Sequence, residues 1–151
     1  MPAAEEPLAL PVTFRPVRTR TVLMTVGTVM LVTFATVAFA MPRWSPLDRG
    51  VFMATGVMIF GLLSLLSRPK IVAAPDGLTV INLTTKRQLE WAEVLRVNLQ
   101  PGDPWVYLDL ADGTSLAAMG IQPGNGKEHA VREARRLRTL AEAYGTSESG
   151  G

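Results

Sequence analysis

Residues 21–41 read TVLMTVGTVMLVTFATVAFAM, and residues 51–67 read VFMATGVMIFGLLSLLS. Neither run contains a charged residue, and only Pro42–Gly50 separates them. As a helix rising about 1.5 Å per residue, the first would be roughly 30 Å long, the thickness of a bilayer's hydrocarbon core. The second, at 17 residues, meets the lower limit for a span. A core helix in a soluble protein can look the same. Two such runs in succession, however, need a larger partner core than the remaining chain supplies. The economical reading is a transmembrane helical hairpin over residues 19–67, with helices at 21–41 and 51–67.

The composition of the whole chain follows from that stretch. Of its 151 residues, 48% are hydrophobic; residues 21–67 hold 29 apolar residues in 47, and the other 104 positions hold 43. An evenly mixed globule and a disordered chain are both excluded by this division. Charge divides too, with +3 over residues 1–68 and −1 over 69–151. There is no cysteine, which excludes disulfides, thiolate metal sites and cysteine nucleophiles. A single histidine, His129, leaves little for a zinc site or a Ser-His pair.

Basic residues beside the spans give the orientation. Arg15, Arg18 and Arg20 precede the first run, and Arg68 and Lys70 follow the second, against Arg43 and Arg49 in the connection. Both termini are therefore expected in the cytoplasm, in a multi-pass protein of the cell membrane. The same five residues can touch anionic lipid headgroups, at about 1 kcal/mol each near the surface. Trp44 suits the interfacial zone. A rival reading is a secretory signal cut after Ala38-Phe39-Ala40. Its apolar region is too long for that, and Met41-Pro42 would follow the cut. Thr21, Thr25, Thr28, Thr33 and Thr36 in the first run, with Ala54, Gly56, Gly61 and Ser64 in the second, read as helix-packing positions. A solute path is the other reading, but neither span carries an ionisable residue.

After Pro69 the pattern changes to short alternating strands with turns such as Pro75-Asp76-Gly77 and Ala111-Asp112-Gly113. About six antiparallel strands are expected, at residues 71–74, 78–81, 88–91, 94–99, 105–110 and 115–119, forming a small barrel or two packed sheets. Ala130, Ala134, Leu137, Ala141 and Tyr144 then form one apolar helical stripe. The spacing of Asn125 and Glu128 suggests a capping box, and Gly145 is placed as a C-terminal cap. Residues 1–18 and 146–151 read as flexible tails around a hairpin and a domain at 69–145.

Gly77-Leu78-Thr79-Val80-Ile81-Asn82, Leu89-Glu90-Trp91-Ala92-Glu93-Val94 and Leu110-Ala111-Asp112-Gly113-Thr114 resemble the bacterial PH-domain pattern. Two membrane helices ahead of such a domain are similar to the actinobacterial PH domain-containing membrane proteins. The resemblance implies an α+β fold in which two sheets of a PH-like sandwich are capped by a C-terminal helix, and it transfers no catalytic residue or cofactor. Many eukaryotic PH domains hold phosphoinositides with basic residues at the first strand-to-strand loop. Ala74-Pro75-Asp76-Gly77, taken as that loop, has an acid and no base.

The remaining chemistry is sparse. Gly126-Lys127 is followed by Glu128 where a phosphate loop needs Ser or Thr. Asn82-Leu83-Thr84 matches a glycosylation acceptor, Trp91 and Trp105 read as packing aromatics, and His129 reads as a surface residue without a ligand partner. Asp109 and Asp112 have no base or metal constellation around them. Lys86-Arg87 and the helix arginines Arg132, Arg135, Arg136 and Arg138 are the other basic candidates, the four arginines as a docking patch. The domain's near-neutral charge argues against nucleic acid. The expected function is non-enzymatic: a scaffold or adaptor presenting a cytoplasmic PH-like domain to a protein, with lipid as a further partner. The alternative is an oligomeric membrane component that handles a lipid or small solute between its helices.

Overall fold

The structure, a computed structural model, describes residues 10–149, with side chains through residue 145. Of the expected tails, 1–18 and 146–151, residues 1–9 and 150–151 lie outside the described residues. The chain divides into two compact units: a helical hairpin, Val17–Arg68, and a unit made of the segment before it together with everything from Pro69 onward.

The hairpin consists of α1 (Val17–Ala40) and α2 (Pro46–Leu66). Helix α1 starts four residues ahead of Thr21 and so includes Arg18 and Arg20, because nothing after Pro16 breaks a helix. Helix α2 starts at Pro46, and Asp48 and Arg49 form its first turn. The reason is a capping box: the Ser45 hydroxyl accepts the Asp48 N–H at 3.2 Å, and the Asp48 carboxylate accepts the Ser45 N–H at 3.0 Å.

Glycine notches set the rotation of the two helices. A Cβ on Gly56 would lie 2.8 Å from Phe34 Cβ, and one on Gly27 3.2 Å from the Phe60 ring. Phe34 stacks on Phe52 at 4.5 Å between centroids, and Trp44 meets Phe52 edge-on at 5.0 Å. Seating those rings turns the threonine face away. Thr28, Thr33 and Thr36 are exposed, each hydroxyl donating to the carbonyl four residues back. A Cβ on Gly61 would meet nothing within 4 Å, and Ala54 is exposed. The expectation that the threonines pack against α2 is thus corrected, whereas Gly56 and Ser64 do pack, the Ser64 hydroxyl reaching the Met24 sulfur at 3.8 Å.

The second unit has two antiparallel sheets. One is ordered β1 (Val12–Phe14), β2 (Lys70–Ala74), β3 (Gly77–Ile81), β4 (Lys86–Leu89); the other β5 (Val94–Asn98), β6 (Val106–Leu110), β7 (Ser115–Ala118). Helix α3 (Lys127–Ser149) closes the sandwich. Strict alternation places Ile71, Ala73, Leu78, Val80, Val106, Leu108 and Leu110 in the core. Trp91, fully buried in a 3-10 turn between β4 and β5, donates its indole N–H to the Ala74 carbonyl at 2.9 Å. Helix α3 contributes Ala130, Ala134, Leu137, Leu140 and Ala141 to the same core.

Among the described residues there are seven strands against about six expected, and the additional one is β1. Residues 12–14 fall within the expected N-terminal tail, yet Phe14 opposes Ile71 across the β1–β2 pair and is 2% exposed. Three residues are too few to show a period, so this strand's identity comes from its partner. The first strand-to-strand connection is consequently the hairpin itself. Ala74–Gly77 is the β2–β3 turn and not the first loop, as the sequence pattern suggested. Gly77 is required there: at φ +158° a Cβ would run into the Leu89 carbonyl oxygen. Gly145 does not end α3, which continues to Ser149. Its bare Cα instead allows close approach to Trp91, whose carbonyl oxygen would lie 3.3 Å from a Cβ.

Candidate interaction surfaces

The two groups of basic residues singled out by the sequence are distributed differently by the fold. Arg15 directly follows β1 and Lys70 opens β2, so the β1–β2 pairing brings both to one end of the first sheet. In the hairpin, Arg18 and Arg20 lie at the start of α1, and Arg68 directly follows α2. Those ends adjoin, since the Ser67 hydroxyl reaches the Met24 sulfur at 3.5 Å. Arg18, Arg20 and Arg68 are exposed, whereas Arg15 and Lys70 are half-buried.

The four arginines of α3 are all exposed, and they meet different neighbours. Arg138 leans on the second sheet, donating to the Val97 carbonyl at 2.8 Å. Arg136 lies on the flank of Glu133, whose carboxyl is held up by burial against opposing pulls from His129 and Arg136. His129, read from the sequence as a surface residue without a ligand partner, meets Glu133 at 3.1 Å across one helical turn. Arg132 and Arg135 project from the helix between these flanks.

Several other polar residues serve the fold. Asn82 is 7% exposed and joins the sheets: its amide donates to the Ala117 carbonyl at 2.8 Å, and its oxygen accepts the Met119 N–H at 3.1 Å. Asp109 accepts from Asn98 and Ser115, at 2.6 and 3.1 Å. Asp112 is held below the usual carboxylate range by Thr114, with Arg87 adding a smaller contribution from 3.7 Å. Among the described residues no cluster of three His, Cys, Asp or Glu could hold a metal ion.

A groove of about 380 Å³ lies between β5 and α3, lined by Trp91, Leu95, Arg96, Val97, Arg138 and Ala141 among others. Sequence reasoning did not find it. Leu95 was the available signal: an apolar residue between two strand positions that both face the core, left 66% exposed.

Two antiparallel sheets of four and three strands closed by a C-terminal helix define a PH-like sandwich, here accompanied by two helices long and apolar enough to cross a membrane. Residues 68–140 match the bacterial PH domain family. An uncharacterized protein of Mycobacterium bovis and uncharacterized proteins of two Mycobacterium tuberculosis strains are each 33% identical to it over 97 residues, 64% of this chain. The chain spans about 62% of the length of these relatives. No solved structure matches it.

Proposed function

We propose that this protein is a multi-pass membrane protein that holds its PH domain at the cytoplasmic face as a non-enzymatic scaffold or adaptor for a protein partner. One observation carries the reading. The hairpin is inserted between two antiparallel, directly paired strands, β1 and β2, with Phe14 opposite Ile71. If α1 and α2 span, the sheet can close only when both flanks lie on one side of the bilayer. The arginine bias then selects the cytoplasmic side. Cleavage after Ala40 would remove β1 from the domain, which weighs against a secretory signal.

The hairpin's outer surface supports immersion in lipid. Val22, Phe39, Val51, Val57, Met58 and Leu62 are each more than half exposed, an apolar area that water disfavours. Arg15, Arg18, Arg20, Arg68 and Lys70 would lie at the headgroup level and contact anionic lipid. The Arg132, Arg135, Arg136 and Arg138 face of α3 remains available for protein docking. In the alternative reading, lipid or solute passes between helices of an oligomer. Thr28, Thr33 and Thr36 give it little support, since their hydroxyls are bonded to their own helix.

Reporters fused ahead of Met1 and after Gly151 test the topology. Both should be active only in cytoplasmic form, and an externally active reporter at either end overturns the arrangement. Crosslinking in native membranes followed by purification tests the role. A reproducible protein partner supports the scaffold, whereas stoichiometric lipid with no protein favours the alternative.

A further inference from the structure

Among the described residues the two sheets of the PH-like domain present four strand edges, and three are obstructed. Strand β1 is three residues long. Strand β4 displays Lys86, Arg87 and Gln88, all exposed, and such charges oppose edge pairing. The edge of β7 is occupied by Asn82, bonded to the Ala117 carbonyl and the Met119 N–H.

The fourth edge, β5, differs. Its free side borders the groove against α3. A register shift between Val94 and Arg96 leaves Leu95 without an opposing residue in β6, and its side chain is 66% exposed. The Val97 carbonyl, a neutral acceptor, is met in this groove by the Arg138 guanidinium at 2.8 Å. The ionic side chains lining the groove are Arg96, Arg138 and Glu142, and Glu142 is not free. The groove therefore combines strand-edge backbone, an apolar contact at Leu95 and a net positive charge.

We propose that the β5 edge is a strand-addition site for an extended acidic segment of a protein partner. A backbone N–H of the incoming segment takes the place of Arg138 on the Val97 carbonyl. The released guanidinium, with Arg96, then pairs with a carboxylate of the segment, and an apolar side chain of the segment covers Leu95. Each bond broken is replaced by one formed. This inference rests on the protein-interaction reading above and assigns it a surface.

The test uses the full chain in lipid nanodiscs, panned against a displayed library of random linear peptides. Enriched peptides should pair an Asp or Glu with apolar residues, and on binding them β5 amides should gain protection from hydrogen exchange. Arg138→Glu should weaken those peptides about tenfold or more and shift enrichment toward Lys and Arg. Leu95→Lys, at an exposed position, should weaken them without altering the fold. The proposal is overturned if nothing is enriched over empty nanodiscs, or if both variants bind the enriched peptides as well as the parent does. It is equally overturned if anionic vesicles compete through the same two residues, which assigns the groove to lipid. Self-association abolished by Leu95→Lys assigns the groove to a second copy and overturns the proposal as well. A native protein partner crosslinked equally to both variants leaves the scaffold reading intact and eliminates the groove.

Discussion

The hairpin and the PH-like domain place their apolar side chains in opposite directions. In the domain, Ile71, Leu78, Trp91, Leu108 and Leu137 are within 1% of full burial, and the charged residues surround them. In the hairpin, Gly27, Ala38 and Gly56 are the buried residues of the two helices, while Val51, Val57, Met58 and Phe39 point outward. The domain's cohesion comes from the removal of side chains from water. As membrane spans, the reading proposed above, the two helices need close backbone approach, with Phe34 and Phe60 seated on glycines, because lipid supplies no hydrophobic drive between helices. The same residue types therefore carry different energetic meaning in the two units.

The largest effect should come from Trp91→Ala, which removes a fully buried ring and its bond to Ala74. It should cost the domain about 3–5 kcal/mol, measured by chemical unfolding followed through near-UV signals, with the helicity of the hairpin retained. Loss of the hairpin in step with the domain would break the contrast. Phe14→Ala should cost a similar amount, about 3–4 kcal/mol, in the same transition. A transition unaffected by this change would detach β1 from the domain. In the hairpin the sensitive change is charge, not size. Val57→Asp, at a 56% exposed site, should impair membrane insertion by about 2.5–3.5 kcal/mol, read from glycosylation-tagged insertion, whereas Val57→Leu should be silent.

Asn82→Ala is smaller. It strands the Ala117 carbonyl and the Met119 N–H between the sheets and should cost about 1–3 kcal/mol in the domain's unfolding midpoint. Smallest is Glu133→Gln. Burial raises the Glu133 pKa in the folded domain, so the native state favours the protonated acid. That stability is present below the unfolded-state carboxyl pKa and lost as pH rises through the folded value. Relative to the parent, the Gln variant should gain stability between acid and neutral pH, and a constant difference over that range would contradict the assignment.

The PH-like sandwich and its core were legible wherever a segment is long enough to show its own period. Val106, Leu108 and Leu110 alternate, and Ala130, Ala134, Leu137 and Ala141 recur at helical spacing, so their burial could be read directly. The threonines of α1 were misplaced because small residues signal close packing without saying which face receives it. The phase was set by Gly27 and Gly56, through rings on the facing helix. Gly145 looked like a cap because sequence cannot distinguish a glycine that ends a helix from one that admits a neighbour's carbonyl. The groove beside β5 was not legible, since it exists only where α3 passes the edge strand.

By itself the sequence determined the two apolar helices, the alternating strands and the closing helix, because hydropathy and period are properties of a segment. Only the tertiary structure decided that Val12–Phe14 belongs to the first sheet, that the hairpin interrupts the PH-like domain, and that Arg138 sits on the β5 edge. Those features depend on pairing between residues far apart in the chain. A three-residue strand or a lone arginine acquires its role from the partner it meets.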